Sequence, residues 1–186
     1  MKPILLTLAA AMVAGLSHAA VIQFDLTGTA GAGLLPGNTP SVQSGGTGGE
    51  VGLGITYDNI TMLLTIDVGW GSSQGFADLT SLATNSHIHG PTADPNGNGF
   101  TQTAGVVSTL TRSSNAVTGG VFTNSPILLT GPQETALMEG RYYINVHTAN
   151  NGGGELRGFL TPVPEPTAPL LGMVAFAAAT LRRRRY

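Results

Sequence analysis

The feature that most constrains the fold is a series of short segments in which apolar residues alternate with small or polar ones. Residues 51–57 and 60–68 are the clearest examples, and Asp58 and Asn59 separate them. A period of two places one face of a strand against a core, and a turn between two such segments predicts a hairpin. No long segment has the 3.6-residue period of a helix. We therefore predict an all-β, antiparallel fold.

Further strands are predicted at residues 21–27, 85–90, 106–110 and 116–122, followed by a hairpin of 141–148 and 155–160. Residues 130–140 differ, because Thr130 can cap a helix, Pro132 suits its first turn and Gly140 can end it. About seven or eight strands separated by turn residues favour an antiparallel β-sandwich. The single tryptophan, Trp70, is expected to be a core or rim aromatic rather than a sugar-stacking one.

The first 19 residues have the order of features of a secretory signal peptide. An initial lysine precedes an apolar stretch at 4–16, and Ser17 and Ala19 supply small residues before a cleavage point that leaves Ala20 first. The stretch is shorter than the roughly 20 residues needed to span a bilayer. This favours removal by signal peptidase over an uncleaved membrane anchor.

The C-terminal segment, residues 162–186, contains a proline-rich motif, an uncharged apolar helix predicted at 168–181 and a run of arginines. The motif is Val163-Pro164-Glu165-Pro166. In this order the parts resemble a PEP-CTERM sorting signal. The resemblance implies an exosortase as partner, transient anchoring of the precursor in the inner membrane, and a destination in the cell envelope, at the cell surface or outside the cell. A plain tail anchor is the alternative.

The segment between the two ends, residues 20–161, is predicted to be one domain, since its length suffices for a single core. It contains nine acidic and three basic residues, which gives a net charge of −6. Nucleic-acid phosphates would repel such a domain, so we expect no nucleic-acid partner. The chain has no cysteine. Disulfides and thiol chemistry are therefore excluded.

Three histidines of this domain are candidate metal ligands. His87 and His89 are two apart on a predicted strand, so their side chains share one face, with Cα atoms about 6.5–7 Å apart. In the last hairpin the same alternation separates an apolar face from a polar one. The polar face would collect Arg141, Tyr143, Asn145, His147, Glu155 and Arg157.

Two interpretations of these polar residues remain open. If the His87 strand lies beside the last hairpin, then His87, His89, His147 and Glu155 would meet, and three imidazoles with a carboxylate suit copper or zinc. Alternatively the residues form a structural network that includes Asn145, Arg141 and Arg157. In that network His147 would cap the turn at 150–152, and Glu155 would pair with one of the arginines.

Three motifs of the domain resemble those of the CHRD (chordin-like) family. They are His87-Ile88-His89-Gly90-Pro91, Tyr143-Ile144-Asn145-Val146-His147-Thr148, and Gly154-Glu155-Leu156-Arg157-Gly158. The resemblance spans residues 21–160 and implies a β-sandwich in a secreted or surface protein. Our leading hypothesis is a non-enzymatic binding or structural module whose partner is a polysaccharide or an envelope protein. The alternative is a copper- or zinc-binding protein with a possible redox role.

Other chemistry has little support in the sequence. Residues 94–99 imitate the start of a calcium loop, but the twelfth position is Gly105 and not glutamate, so an ordinary turn is favoured. No serine lies in a Gly-x-Ser-x-Gly motif of the hydrolase type. We therefore predict no catalytic residues.

Overall fold

The computed structural model describes residues 21–122 and 126–164. The predicted signal peptide at 1–19 and the sorting signal from Glu165 onward lie outside the described residues. Among those described, no helix is long and apolar enough to cross a bilayer. The elements of this part of the chain are β1 (Val21–Thr27), β2 (Gly48–Asp58), β3 (Leu63–Trp70), β4 (Ala83–His89), β5 (Val106–Thr109), β6 (Gly120–Val121), β7 (Ile127–Leu128), α1 (Gly131–Met138), β8 (Tyr143–Thr148) and β9 (Leu156–Pro162).

The strands form a single antiparallel sheet in the order β5-β4-β8-β9-β1-β2-β3-β6, and β7 also pairs with β3. The predicted all-β antiparallel class is confirmed. The strands do not divide into two separately hydrogen-bonded sheets, as a simple sandwich would. Instead one sheet curls, and the inner faces of β1, β2, β3, β4, β8 and β9 contribute to one core cluster.

Alternation within the strands accounts for this core. In β3, Ile66, Val68 and Trp70 point inward and are at most 1% exposed. The ring of Trp70 lies 5.6 Å from that of Phe122, and its Nε1–H donates to the carbonyl of Ala116. The prediction that the tryptophan belongs to the core is therefore confirmed.

The hairpin of β2 and β3 departs from the predicted alternation at two places. The β2–β3 register shifts between Glu50 and Ile55, which marks a bulge, and Leu53 within it is 80% exposed. Ile60, predicted to lie in a strand, is 64% exposed and belongs to the turn, where its N–H donates to Asp58 Oδ1. A bulge and a side-chain-capped turn each interrupt the period of two, and bulges bend a strand, which helps a sheet to curl.

The other elements follow the sequence more closely. Strand β1 has the predicted bounds, and α1 begins with a capping box of Thr130 and Gln133. Pro132 lies in the first turn of the helix, and Gly140 follows its end at φ 68°. The strand predicted at 116–122 is reduced to the two residues of β6.

The inward direction of Ile88, between two histidines, is a test of this architecture. Ile88 is 1% exposed and packs in the core. Ile88→Ala should lower the free energy of unfolding by about 2–5 kcal/mol, because it leaves a cavity. Leu53→Ala, at an exposed position, should change it by less than about 0.5 kcal/mol. Urea unfolding of both variants measures the difference, and similar losses would contradict the assigned orientation.

Candidate metal centre

The register between β4 and β8 places the three histidines on one face of the sheet. His87 lies opposite Asn145, and Asn85 lies opposite His147, so His147 is diagonal to His87 across two adjacent strands. Ser86 and Ile88, which alternate with the histidines, are buried on the inner face. The adjacency of the His87 strand and the last hairpin is therefore present in the structure.

The three imidazoles are close enough to share one ion. One ring nitrogen from each of His87, His89 and His147 lies within 4.8 Å of the other two. His87 Nδ1 and His147 Nε2 are 3.1 Å apart. Two ligands about 2 Å from a tetrahedral zinc ion would be separated by about 3.3 Å. The observed separation is therefore close to that of a ligand pair.

Backbone carbonyls fix the tautomers of two of these rings. His89 Nδ1 lies 2.9 Å from the carbonyl oxygen of Ala104, and His147 Nδ1 lies 2.8 Å from that of Gly152. Because a carbonyl only accepts, the neutral form of each ring carries its proton on Nδ1 and its lone pair on Nε2. Metal-binding histidines have this arrangement, in which the second nitrogen donates to an outer partner. The Nε2 of His89 is buried and has no hydrogen-bond partner.

The surroundings keep two of the imidazoles neutral. Burial lowers the pKa of His87, and its electrostatic interactions with His147, His89 and Arg112 lower it further. Burial also lowers the pKa of His89, the hydrogen bond to Ala104 opposes this, and His147 and Arg157 add to the lowering. Neutral imidazole is the form that binds a metal, so both rings are available as ligands at neutral pH.

Aromatic stacking holds His89 in place. Its ring is stacked on that of Tyr143, with centroids 4.9 Å apart and planes inclined by 2°. The hydroxyl of Tyr143 accepts the N–H of Ala104, the residue that also binds His89. The guanidinium of Arg157 lies over the Tyr143 ring at 3.7 Å from its centroid. Alternation in β8 was a signal that Tyr143 shares the histidine face, but its role as a stacking platform was not predicted.

Glu155 does not join the histidines and is not part of the group that could hold an ion. It is fully buried, and its carboxylate accepts hydrogen bonds from five donors. The donors are the N–H groups of Gly46 and Thr80, the hydroxyls of Thr80 and Thr148, and the amide of Asn151. The predicted fourth ligand is corrected for a local reason: Glu155 precedes the first residue of β9, so alternation along that strand does not set its direction.

The residues of the predicted polar network do not all lie together. Asn145 lies opposite Arg157 on the outer face and donates to the carbonyl of Gly153. Arg141 lies elsewhere, where it donates to the carbonyl of Thr92 and pairs with Glu139 at 3.1 Å. Glu155 pairs with neither arginine. The hydrogen bond of His147 to Gly152 agrees with the structural interpretation of that residue, and it is equally compatible with a metal ligand.

Asp94 is the one acidic residue of the loop at residues 94–99. The side chain of Asp94 accepts the amide of Gln102. Within residues 21–122 and 126–164, the histidine trio is the one group that brings three potential ligands together.

The fold and the site together define the class of protein. It is an antiparallel all-β domain with three histidines on the outer face of its sheet. Residues 30–160 match the family model of the CHRD domain, which covers more than half of the chain. The chain belongs to the CHRD domain family, as the three motifs indicated. No curated protein and no solved structure matches it.

The buried carboxylate of Glu155 should be a major source of stability. Glu155→Gln replaces an acceptor oxygen by an amide that faces hydrogen-bond donors, so we expect a loss of about 2–3 kcal/mol in the free energy of unfolding. Glu139→Gln, which breaks only the exposed ion pair, should cost less than about 1 kcal/mol. Urea unfolding at pH 7 compares the two variants.

Glu155→Gln should also change how the stability of the protein depends on pH. Burial alone would raise the pKa of Glu155, but the hydrogen bonds from Gly46, Thr80 and Thr148 lower it below its ordinary value of 4.5. The folded state therefore binds fewer protons than the unfolded state, and stability is lost as the pH falls below about 4.5. Glu155→Gln should lose less stability than wild type over that range. An equal loss would show that Glu155 is not the group responsible.

Proposed function

We propose that this protein is an exported binding module of the CHRD family that holds one copper or zinc ion at His87, His89 and His147. One observation carries the proposal: three ring nitrogens lie within 4.8 Å of one another. The hydrogen bonds of His89 and His147 to backbone carbonyls support it, because they place the lone pair of each neutral ring on Nε2. His89 Nε2 has no hydrogen-bond partner, and His147 Nε2 faces His87 Nδ1.

The chemistry of the ligands favours copper and zinc over calcium and magnesium. Imidazole nitrogen is a common ligand of copper and zinc, whereas calcium and magnesium take oxygen ligands. Three protein ligands leave a fourth position of a tetrahedral ion free for water or another ligand. A binding or structural role needs no reacting side chain, and redox chemistry of copper is the alternative for the same ligand set.

Metal titration of the purified protein tests this proposal. Isothermal titration with Zn²⁺ and Cu²⁺ should give one ion per chain. Loss of a residue that hydrogen-bonds to a metal ligand lowers metal affinity by roughly 10–100-fold. His89→Gln removes a proposed ligand itself, so it should lower the affinity by more than that. Because the pKa values of His87 and His89 are lowered, acid should weaken binding less than it would if these two ligands were ordinary imidazoles.

Asn85→Ser is the matched control, since Asn85 lies on β4 next to the site, opposite His147, and is not in the ligand group. This variant should bind metal as wild type does. Circular dichroism establishes that each variant is folded before titration. Wild type without stoichiometric metal, or equal losses in Asn85→Ser and His89→Gln, would refute the centre.

Export is the second part of the proposal, and the order of segments in the sequence supports it. An apolar segment with a cleavage point after Ala19 precedes the domain, and Val163-Pro164-Glu165-Pro166, an apolar run and arginines follow it. We propose processing by signal peptidase and by an exosortase, with delivery to the cell envelope or surface. Transient anchoring of the precursor would use residues 168–181.

Processing can be followed by mass spectrometry of the protein isolated from its native cells. We expect a mature chain that begins at Ala20 and lacks the segment after the 163–166 motif. Replacing Glu165 by Ala should leave the C-terminal segment attached, because the motif is altered. A cell-associated protein that retains Met1 and Tyr186 would contradict export by this route.

A further inference from the structure

A cavity of about 280 Å³ lies beside the histidine trio. Strands β4, β8 and β9 contribute His89, Tyr143, Asn145, His147 and Arg157 to its lining, and the loop containing Thr39 covers part of it. Its volume is near the lower end of the range for small-molecule sites, about 300 Å³. The cavity therefore suits a ligand of modest size.

Arg157 brings a positive charge to this cavity that no carboxylate of the described residues neutralises. Its side chain is 2% exposed, and its guanidinium lies over the ring of Tyr143 and donates to the carbonyl of Gln102. Within residues 21–122 and 126–164, the one arginine–carboxylate pair is that of Arg141 with Glu139. Buried charges are normally paired, so the guanidinium is suited to an anion from outside the chain.

Side chains with unpaired polar atoms are concentrated among the residues that line this cavity. In the described part of the chain, seven buried side chains have a nitrogen or oxygen without a hydrogen-bond partner, and four of them line the cavity. These four are Thr39, His89, Asn145 and Arg157. Such atoms are rare in folded proteins, and a cluster of them needs an explanation.

The chemical types of these atoms describe the ligand. Arg157 Nε–H is a charged donor, and the hydroxyl of Thr39 can donate as well. Asn145 donates its amide to Gly153, so its unpaired atom is Oδ1, which accepts. A ligand that satisfies all three needs anionic oxygens for the donors and a hydroxyl for Asn145.

We propose that this cavity binds a small hydroxycarboxylate, the chemistry of a sugar acid. Arg157 and Thr39 donate to the carboxylate, and Asn145 Oδ1 accepts from a hydroxyl group of the ligand. The inference goes beyond the metal centre and does not require an ion. Because His89 and His147 line the same cavity, a bound metal would add a second positive charge beside the anion.

Ligand titrations separate the parts of this proposal. Purified protein treated with a chelator is titrated with glucuronate, acetate and glucose, and binding is followed by isothermal titration. Glucuronate should bind most tightly, acetate more weakly because it has no hydroxyl, and glucose not measurably because it has no charge. A tri-uronide oligomer distinguishes the sources, since tighter binding than the monomer indicates a polysaccharide and weaker binding indicates a free acid.

Variants of the lining residues assign the contacts. Arg157→Gln should weaken glucuronate binding roughly tenfold to a hundredfold, because a charge-assisted hydrogen bond is lost. Thr39→Val tests the same pocket from the loop, with an expected loss of a few-fold, and it remains informative if Arg157→Gln does not fold. Arg141→Gln, which removes an arginine that does not line the cavity, should bind glucuronate as wild type does.

Several outcomes would overturn the inference. They are absence of binding by glucuronate and acetate alike, glucose binding as tightly as glucuronate, and unchanged affinity in both Arg157→Gln and Thr39→Val. Acetate binding as tightly as glucuronate would contradict the hydroxyl contact of Asn145. Since the titrations use metal-free protein, these failures are distinguishable from a failure of the metal centre, which His89→Gln tests with Zn²⁺.

Discussion

The antiparallel register of β4 and β8 is the constraint on which the candidate site depends. It places His87 opposite Asn145 and, in the same ladder, Ile88 opposite Ile144. A slip of β4 by one residue would turn Ile88 outward and would turn His87 and His89 into the core. Both isoleucines are at most 1% exposed, so such a slip would lose much apolar burial and would bury imidazoles without partners. The packing of the core thereby maintains the geometry of the ligands on the opposite face.

Glu155 and Arg157, the two buried charged side chains of the described residues, have opposite hydrogen-bonding environments. Glu155 is surrounded by donors from three separate segments, so its cost of burial is offset inside the chain, and the residue joins those segments. Arg157 is equally buried but has aromatic faces and one carbonyl instead of an acid. A buried charge whose hydrogen bonds are all made within the chain is expected of a structural residue. A buried charge that lacks some of these partners and lies beside a cavity is expected of a binding residue. This contrast separates the two residues, which the sequence places two positions apart.

The sequence predicted the fold class and the histidine face because strand alternation is a local property. It placed His87 and His89 together and Ile88 in the core. The neighbour of β4 could only be assumed, since pairing between strands distant in sequence leaves no local pattern. Glu155 was misplaced because alternation does not extend past the end of a strand. The sequence did not predict the cavity, because Thr39 and the carbonyl of Ala104 come from irregular loops. In such loops no periodicity indicates which way a side chain or carbonyl points.

The loops therefore complete a site that the strands only begin. A strand pair can align two imidazoles, but it does not choose their tautomers or close a pocket over them. Carbonyls of Ala104 and Gly152 fix which nitrogen of neutral His89 and His147 carries the lone pair, and the loop at Thr39 covers part of the adjacent cavity. Binding groups held by packing and outer hydrogen bonds lose little entropy when a ligand arrives. The sheet sets the positions of the imidazoles, and the loops set their tautomers and part of the cavity wall. If the proposed site binds a ligand, we expect variation in these loops to change which ligand it prefers more than it changes the fold.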